Sequence, residues 1–130
     1  KIDTDSFSLK PLPNKWSKKE TLGHLIDSAQ DNIRRFIVGQ YEDQTHIEYN
    51  QDQWVTISDY QHYDERDLMS FWVLINKHIV SILKNTSSHA AKRLVRKQEI
   101  HSIEWLAADY NKHLLHHLHH LLEMEPVPYP

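Results

Sequence analysis

The sequence predicts an all-α chain built as an antiparallel bundle, and three observations carry that expectation. Only 2 of the 130 residues are glycine, while leucine, isoleucine, lysine and glutamate are common, a composition that favours helices over a turn-rich β protein. Long stretches place apolar residues at steps of three and four, the repeat of one helix face. Those stretches also open on residues suited to capping a helix N-terminus. At this length the chain reads as one domain, residues 1–130, large enough to bury a core.

Residues 1–15 hold Pro11, Pro13 and scattered apolar positions, and they read as an extended lead-in rather than a full helix. Ser17-Lys-Lys-Glu20 then forms a capping box, in which Ser17 accepts from the backbone N–H of Glu20 while the Glu20 side chain accepts from that of Ser17. Behind it Leu22, Leu25, Ile26, Ala29, Ile33, Phe36 and Ile37 keep core spacing, so a helix should run to about Gln40. His24 lies beside that stripe, with Asp27, Ser28 and Asp31 on its polar flank. A polar strip bordering an apolar face is where a bundle places an internal site. Residues 41–63 are long for a connection, and the aromatic-rich piece from Gln51 to Tyr60 predicts a short helix around Asp52 to Ser58. Ordinary packing is the expected role of Trp54 and of Tyr60, with covering one end of the bundle the alternative.

A second long helix starts near Asp64 or Glu65, where Asp64, Glu65 and Asp67 favour the positive end of its dipole. Leu68, Trp72, Ile75, Ile79 and Ile82 carry it to about Lys84, and Asn85-Thr-Ser-Ser88 ends it. Residues 89–100 are basic and weakly patterned, with Lys92, Arg93, Arg96 and Lys97, and they read as a solvated connector. No aromatic residue is interleaved with these charges, as a nucleic-acid surface would require. Ser102 is the expected N-cap of a last helix, with Glu104 in its first turn, running to about Met124 before Pro126, Pro128 and Pro130.

That last helix holds five of the eleven histidines within eight residues, His113, His116, His117, His119 and His120. Ile103, Leu106, Tyr110, Leu114 or His113, His117 and Leu121 recur at steps of three and four, so His113 and His117 sit one turn apart on or beside the core-facing stripe. Two imidazoles at i and i+4 can chelate one ion. His116 and His120 form a second such pair on the flank, and His119 points away. A histidine-rich face can equally be a solvated surface that gathers metal loosely, and a third ligand from another helix separates the two readings.

Bulk properties exclude several classes. A net charge of −3 argues against nucleic acid as a partner. No run approaches the roughly 20 apolar residues that span a bilayer. No signal peptide is evident, although residue 1 is Lys rather than Met, so a start upstream is open. The absence of cysteine removes disulfides, thiolate ligands and a cysteine nucleophile, and fits a cytoplasmic protein.

Lys15-Trp-Ser-Lys-Lys-Glu-Thr-Leu-Gly-His24-Leu-Ile-Asp27-Ser, then Asp52-Gln-Trp54-Val and Tyr60, then Asp109-Tyr110 with His113-x-x-His116-His117-Leu, come in a telling order and spacing. From about Trp16 to Leu121 the chain resembles the DinB/YfiT-like superfamily of metal-binding, up-down four-helix bundles. The resemblance implies a helix ahead of the Trp-Ser cap. That helix is shortened here, lies upstream of Lys1, or is replaced by a partner subunit. It also implies a divalent transition metal held by three histidines, and the matching positions are His24, His113 and His117. A trio using His116 and His120 ranks second, because the family pattern usually has glutamine or another residue where His120 stands.

Three neutral imidazoles suit zinc, nickel, iron or copper rather than calcium or magnesium. They leave a coordination position open, as catalytic sites do, where the pKa of a water or a thiol can be lowered. Relatives that transfer low-molecular-weight thiols, bacillithiol or mycothiol, make a metal-dependent thiol S-transferase or hydrolase of a small-molecule substrate the expected function. The alternative is a non-enzymatic metal-bearing stress-response or interaction module. A homodimer is expected from family habit and from the apolar surface a missing helix would expose. Asp27, Asp31 and Asp109 are candidates to accept from the far nitrogen of a ligating imidazole. No residue stands out as a general base.

Overall fold

The computed structural model describes residues 4–122. Within the stretch read as an extended lead-in it forms α1 (Thr4–Ser8), a five-residue helix too short to leave a periodic signal, whose Phe7 is fully buried. The capping box is present at the start of α2 (Lys18–Val38). The Glu20 N–H donates to Ser17 Oγ at 3.0 Å and the Ser17 N–H to Glu20 Oε1 at 3.1 Å. The cap is also a junction between segments. Ser17 Oγ donates to the Gln61 side-chain oxygen, while Gln61 Nε2 donates to the Ser8 carbonyl at 3.1 Å.

α2 is the helix against which α1, α3 (Gln51–Ser58), α4 (Glu65–Lys84) and α6 (Ile103–Leu121) all pack. Its Leu22, Leu25, Ile26, Ala29 and Phe36 enter the core, as their spacing predicts. The polar flank is buried as well, because His24, Asp27, Ser28, Asp31, Asn32 and Arg35 lie under the segments that cross it. Gly23 makes one such crossing possible. A Cβ there would stand 2.1 Å from the Tyr60 ring, so only glycine lets the 3-10 turn Tyr60–His62 lie this close.

α3 begins where Asn50 Oδ1 accepts from the Gln53 N–H at 3.1 Å and ends at Asp59, whose φ of 56° reverses the chain. Tyr60 is buried as expected, but Trp54 is 38% exposed and meets Tyr49 edge-on, so Val55 is the residue through which α3 enters the core. Asp64 caps α4 by accepting from the Asp67 N–H at 2.9 Å, and Leu68, Ile75 and Ile79 form the buried stripe.

The stretch read as a solvated connector is structured. After α5 (Ser88–Ala91), β1 (Leu94–Lys97) and β2 (Glu99–Ser102) form an antiparallel hairpin with Lys97 opposite Glu99. Residues 45–47 run beside β1: the Arg96 N–H donates to the Thr45 carbonyl at 2.9 Å and the Ile47 N–H to the Arg96 carbonyl at 3.3 Å. Val95 is fully buried and meets α2's C-terminal end at Gly39. Four-residue strands with a single buried residue are too short for a readable alternation. The turn is equally silent, because its positive-φ residue is Gln98 (φ 58°) instead of the glycine or asparagine that marks such positions.

α6 starts as expected, with Ser102 Oγ accepting from the Trp105 N–H at 3.1 Å, and buries Ile103, Leu106, Tyr110 and Leu121. Tyr110 Oη donates to Asn76 Oδ1 at 2.6 Å and so joins α6 to α4. The expected end at Met124 and the closing prolines lie outside the described residues. Among those residues no helix is long and apolar enough to cross a membrane.

Candidate metal centre

His24 is placed by the second turn of α2, on the side that faces α6. Its ring lies 5.3 Å from that of His113 and 5.2 Å from that of His117, centroid to centroid, with both partners turned edge-on. The helical repeat of α6 does the rest, since residues four apart share a face. His113 Nε2 and His117 Nε2 are 3.1 Å apart, and one nitrogen from each of the three rings falls within 4.8 Å of the others. The structure therefore brings together His24, His113 and His117. His116 is exposed and outside this group, and the side chain of His120 lies outside the described residues, so no trio built on that pair is seen.

The three rings fit a transition metal on two counts. Tetrahedral bonds of about 2.0–2.1 Å would set the ligand nitrogens roughly 3.3 Å apart, the spacing His113 and His117 already have. The His24 ring is buried with its Nδ1 unpartnered, so an unsatisfied polar ring stands where the three histidines meet. The protonation state agrees. Burial, with the nearby His113 and His117 adding to it, pushes the His24 pKa down to about 3. His113 is also lowered, by burial first and then by the Lys97 charge, with Asp109 opposing. Both groups favour the neutral imidazole that a cation needs.

Two of the carboxylates expected behind the histidines, Asp27 and Asp31, have other partners, while the Asp109 charge acts on His113. Asp31 is ion-paired with Arg35 at 2.6 Å, and both side chains are buried. Asp27 accepts from Tyr60 Oη at 2.5 Å and does not reach the His24 ring, whose Nδ1 has no acceptor. Asp27 lies one turn and Asp31 two turns beyond His24, but their carboxylates swing to the flanks that Tyr60 and Arg35 occupy. Asp109 pairs with Lys97 at 3.4 Å. Trp16 packs against His24, its ring 5.0 Å away centroid to centroid.

A cavity of about 170 Å³ opens beside His24 and His113. Ser28, Asn32 and Arg35 of α2 form one wall, and Asp109 and Tyr110 of α6 another. Glu48, Tyr49 and Gln51 come from the segment leading into α3, and Lys97 and Gln98 from the hairpin turn. Arg35 fixes this mouth, donating to the Ile47 carbonyl through Nε at 2.9 Å and Nη2 at 2.7 Å. Asn32 and Arg35 continue the polar flank of His24 and were open to sequence reasoning. Lys97 and Gln98 were not, because nothing in residues 89–100 announces a hairpin.

No protein-family model matches the chain, and no curated protein does. Among solved structures it is similar to YfiT from Bacillus subtilis, described as a probable metal-dependent hydrolase with an unusual four-helix bundle topology. That likeness has a TM-score of 0.84 and 20% identity, covering 94% of this chain and 72% of that one. It is also similar to YjoA, a DinB-like protein from Bacillus subtilis, with a TM-score of 0.64 and 18% identity over 98% of this chain and 84% of that one.

Proposed function

We propose that this chain, which has the DinB/YfiT-type four-helix bundle fold, is a metal-dependent enzyme, a hydrolase or thiol S-transferase, with His24, His113 and His117 holding a divalent transition metal. The observation that carries the reading is the convergence of three ring nitrogens within 4.8 Å, from opposite ends of the chain, on a cavity with polar walls. Three nitrogen ligands suit zinc, nickel or iron. Bound there, such an ion supplies Lewis acidity and lowers the pKa of a water or thiol at its remaining position. The chain's own residues do the rest. Burial keeps the His24 ring neutral and its lone pair available. Ser28, Asn32 and Gln51 offer hydroxyl and amide groups along the cavity to orient a small polar substrate. Trp16 packs against the His24 ring. That cavity favours an enzyme over a module whose ion serves only stability, since a purely structural ion needs no space beside it.

Elemental mass spectrometry on untagged protein tests the ligand set. Wild type and His119→Ala should each carry close to one equivalent of a transition metal, and His24→Ala should carry almost none. Retention of metal by His24→Ala would instead make the tract on α6 a surface chelator and end the proposal. With the ligand set established, turnover of thiols against electrophiles and of activated esters separates transfer from hydrolysis.

A further inference from the structure

We infer that Lys97, at the end of β1, anchors a carboxylate arm of the small substrate that fills the cavity beside His24 and His113. This rests on the metal-centre reading above and adds a substrate class to it. Four ionisable groups other than histidines and tyrosines border the cavity, the cations Arg35 and Lys97 and the anions Glu48 and Asp109. Arg35 is committed within the fold, since its three guanidinium nitrogens already reach Asp31, Asn32 and the Ile47 carbonyl. Glu48 is committed to His46. Lys97 is different. Among the described residues its ammonium makes one hydrogen bond, to Asp109 Oδ2 at 3.4 Å, well beyond the roughly 2.7–2.9 Å of a good charge-assisted bond. An ammonium has three donors, so Lys97 can take a second carboxylate without leaving the first.

Charge balance points the same way. Three imidazole ligands bring no negative charge, so a divalent ion would add its full charge to this end of the cavity. A ligand with an anionic donor offsets the ion, and its carboxylate arm meets Lys97 at an ion pair whose long 3.4 Å contact leaves ammonium donors unused. Size limits it further: about 170 Å³ holds on the order of six water-sized groups.

The test uses cobalt(II)-loaded full chain, whose visible spectrum changes when a thiolate joins three histidines. The probes are 3-mercaptopropionate, its neutral isostere 3-mercaptopropionamide, and cysteamine, which carries a cation instead. The acid should bind about 10- to 100-fold tighter than the amide, the range for a hydrogen bond to a charged group. In Lys97→Gln that preference should shrink to within about threefold, and Lys97→Arg should restore most of it. Equal binding of acid and amide to wild type, which needs no variant, overturns the inference. So does tighter binding of cysteamine, or a preference intact in Lys97→Gln. If wild type takes up no stoichiometric cobalt, or His24→Ala keeps it, the metal-centre reading itself has failed and this inference goes with it.

Discussion

Asp27 shows how burial can turn one side chain into a reporter of pH. It is 1% exposed, its Oδ1 accepts from Tyr60 Oη, and its Oδ2 has no hydrogen-bond partner. Burial pushes its pKa up to about 6 from the 3.8 of a free aspartate, against the pull of the Tyr60 hydrogen bond. A raised carboxyl pKa means that the folded chain keeps a proton the unfolded chain has already released. Between about pH 4 and 6 stability therefore falls as pH rises, and the cost persists above pH 6. Asp27→Asn keeps an acceptor for Tyr60 and cannot ionise. In metal-free protein the variant should gain on wild type between pH 4 and pH 7, by up to about 3 kcal/mol at roughly 1.4 kcal/mol per pKa unit. Urea denaturation at the two pH values reads the difference, and a gap that stays constant would show that Asp27 ionises normally in the fold. His24, by contrast, contributes equally to both proteins and cancels from the comparison.

At the scale of elements, the close approach of the Tyr60–His62 turn to α2 depends on Gly23. A methyl group there would fall 2.1–2.5 Å from three atoms of the Tyr60 ring, which is itself held by Asp27. The turn must shift, so Gly23→Ala should destabilise the chain by about 1–3 kcal/mol, the usual cost of overpacking, despite alanine's better helix propensity. A lower urea midpoint with an unchanged slope is the expected record. A midpoint equal to or above that of wild type would mean that the turn is not held against α2. The contrast between this turn and the hairpin explains what the sequence makes legible. Ser17 with Glu20, Asp64 and Ser102 mark helix starts through chemistry confined to one turn, and each cap forms where that chemistry puts it. Helical phase placed His113 and His117 on one face and His24 beside another core stripe, while the choice of this trio over one using His116 and His120 came from the family resemblance. The hairpin stayed hidden because its strands are held by residues 45–47 and by α2's end, partners far away in sequence, and because Gln98 adopts a left-handed conformation with no local signature. The packing of Trp54 was left open for a related reason: α3 buries Val55, and only its docked orientation on α2 decides which of two neighbours turns inward.

For the whole molecule, the proposed ligands span the fold, one on α2 and two on α6, so an ion there would tie the central helix to the last one. The caps and the apolar core act with or without metal, but they leave three imidazoles and the unpartnered His24 Nδ1 gathered at the α2–α6 contact. A ligand that binds only the folded chain stabilises it by RT ln(1 + [L]/Kd), about 2.7 kcal/mol when free metal stands at a hundred times Kd. For a chain of this size that corresponds to a melting temperature about 10 °C higher than in excess chelator. The same comparison in His24→Ala should show almost no difference, because without His24 the site should hold almost no metal. A shift of equal size in wild type and His24→Ala would place the stabilising ion on α6 alone. A shift present in wild type and absent in the variant would identify the ion as a cross-link between the two helices.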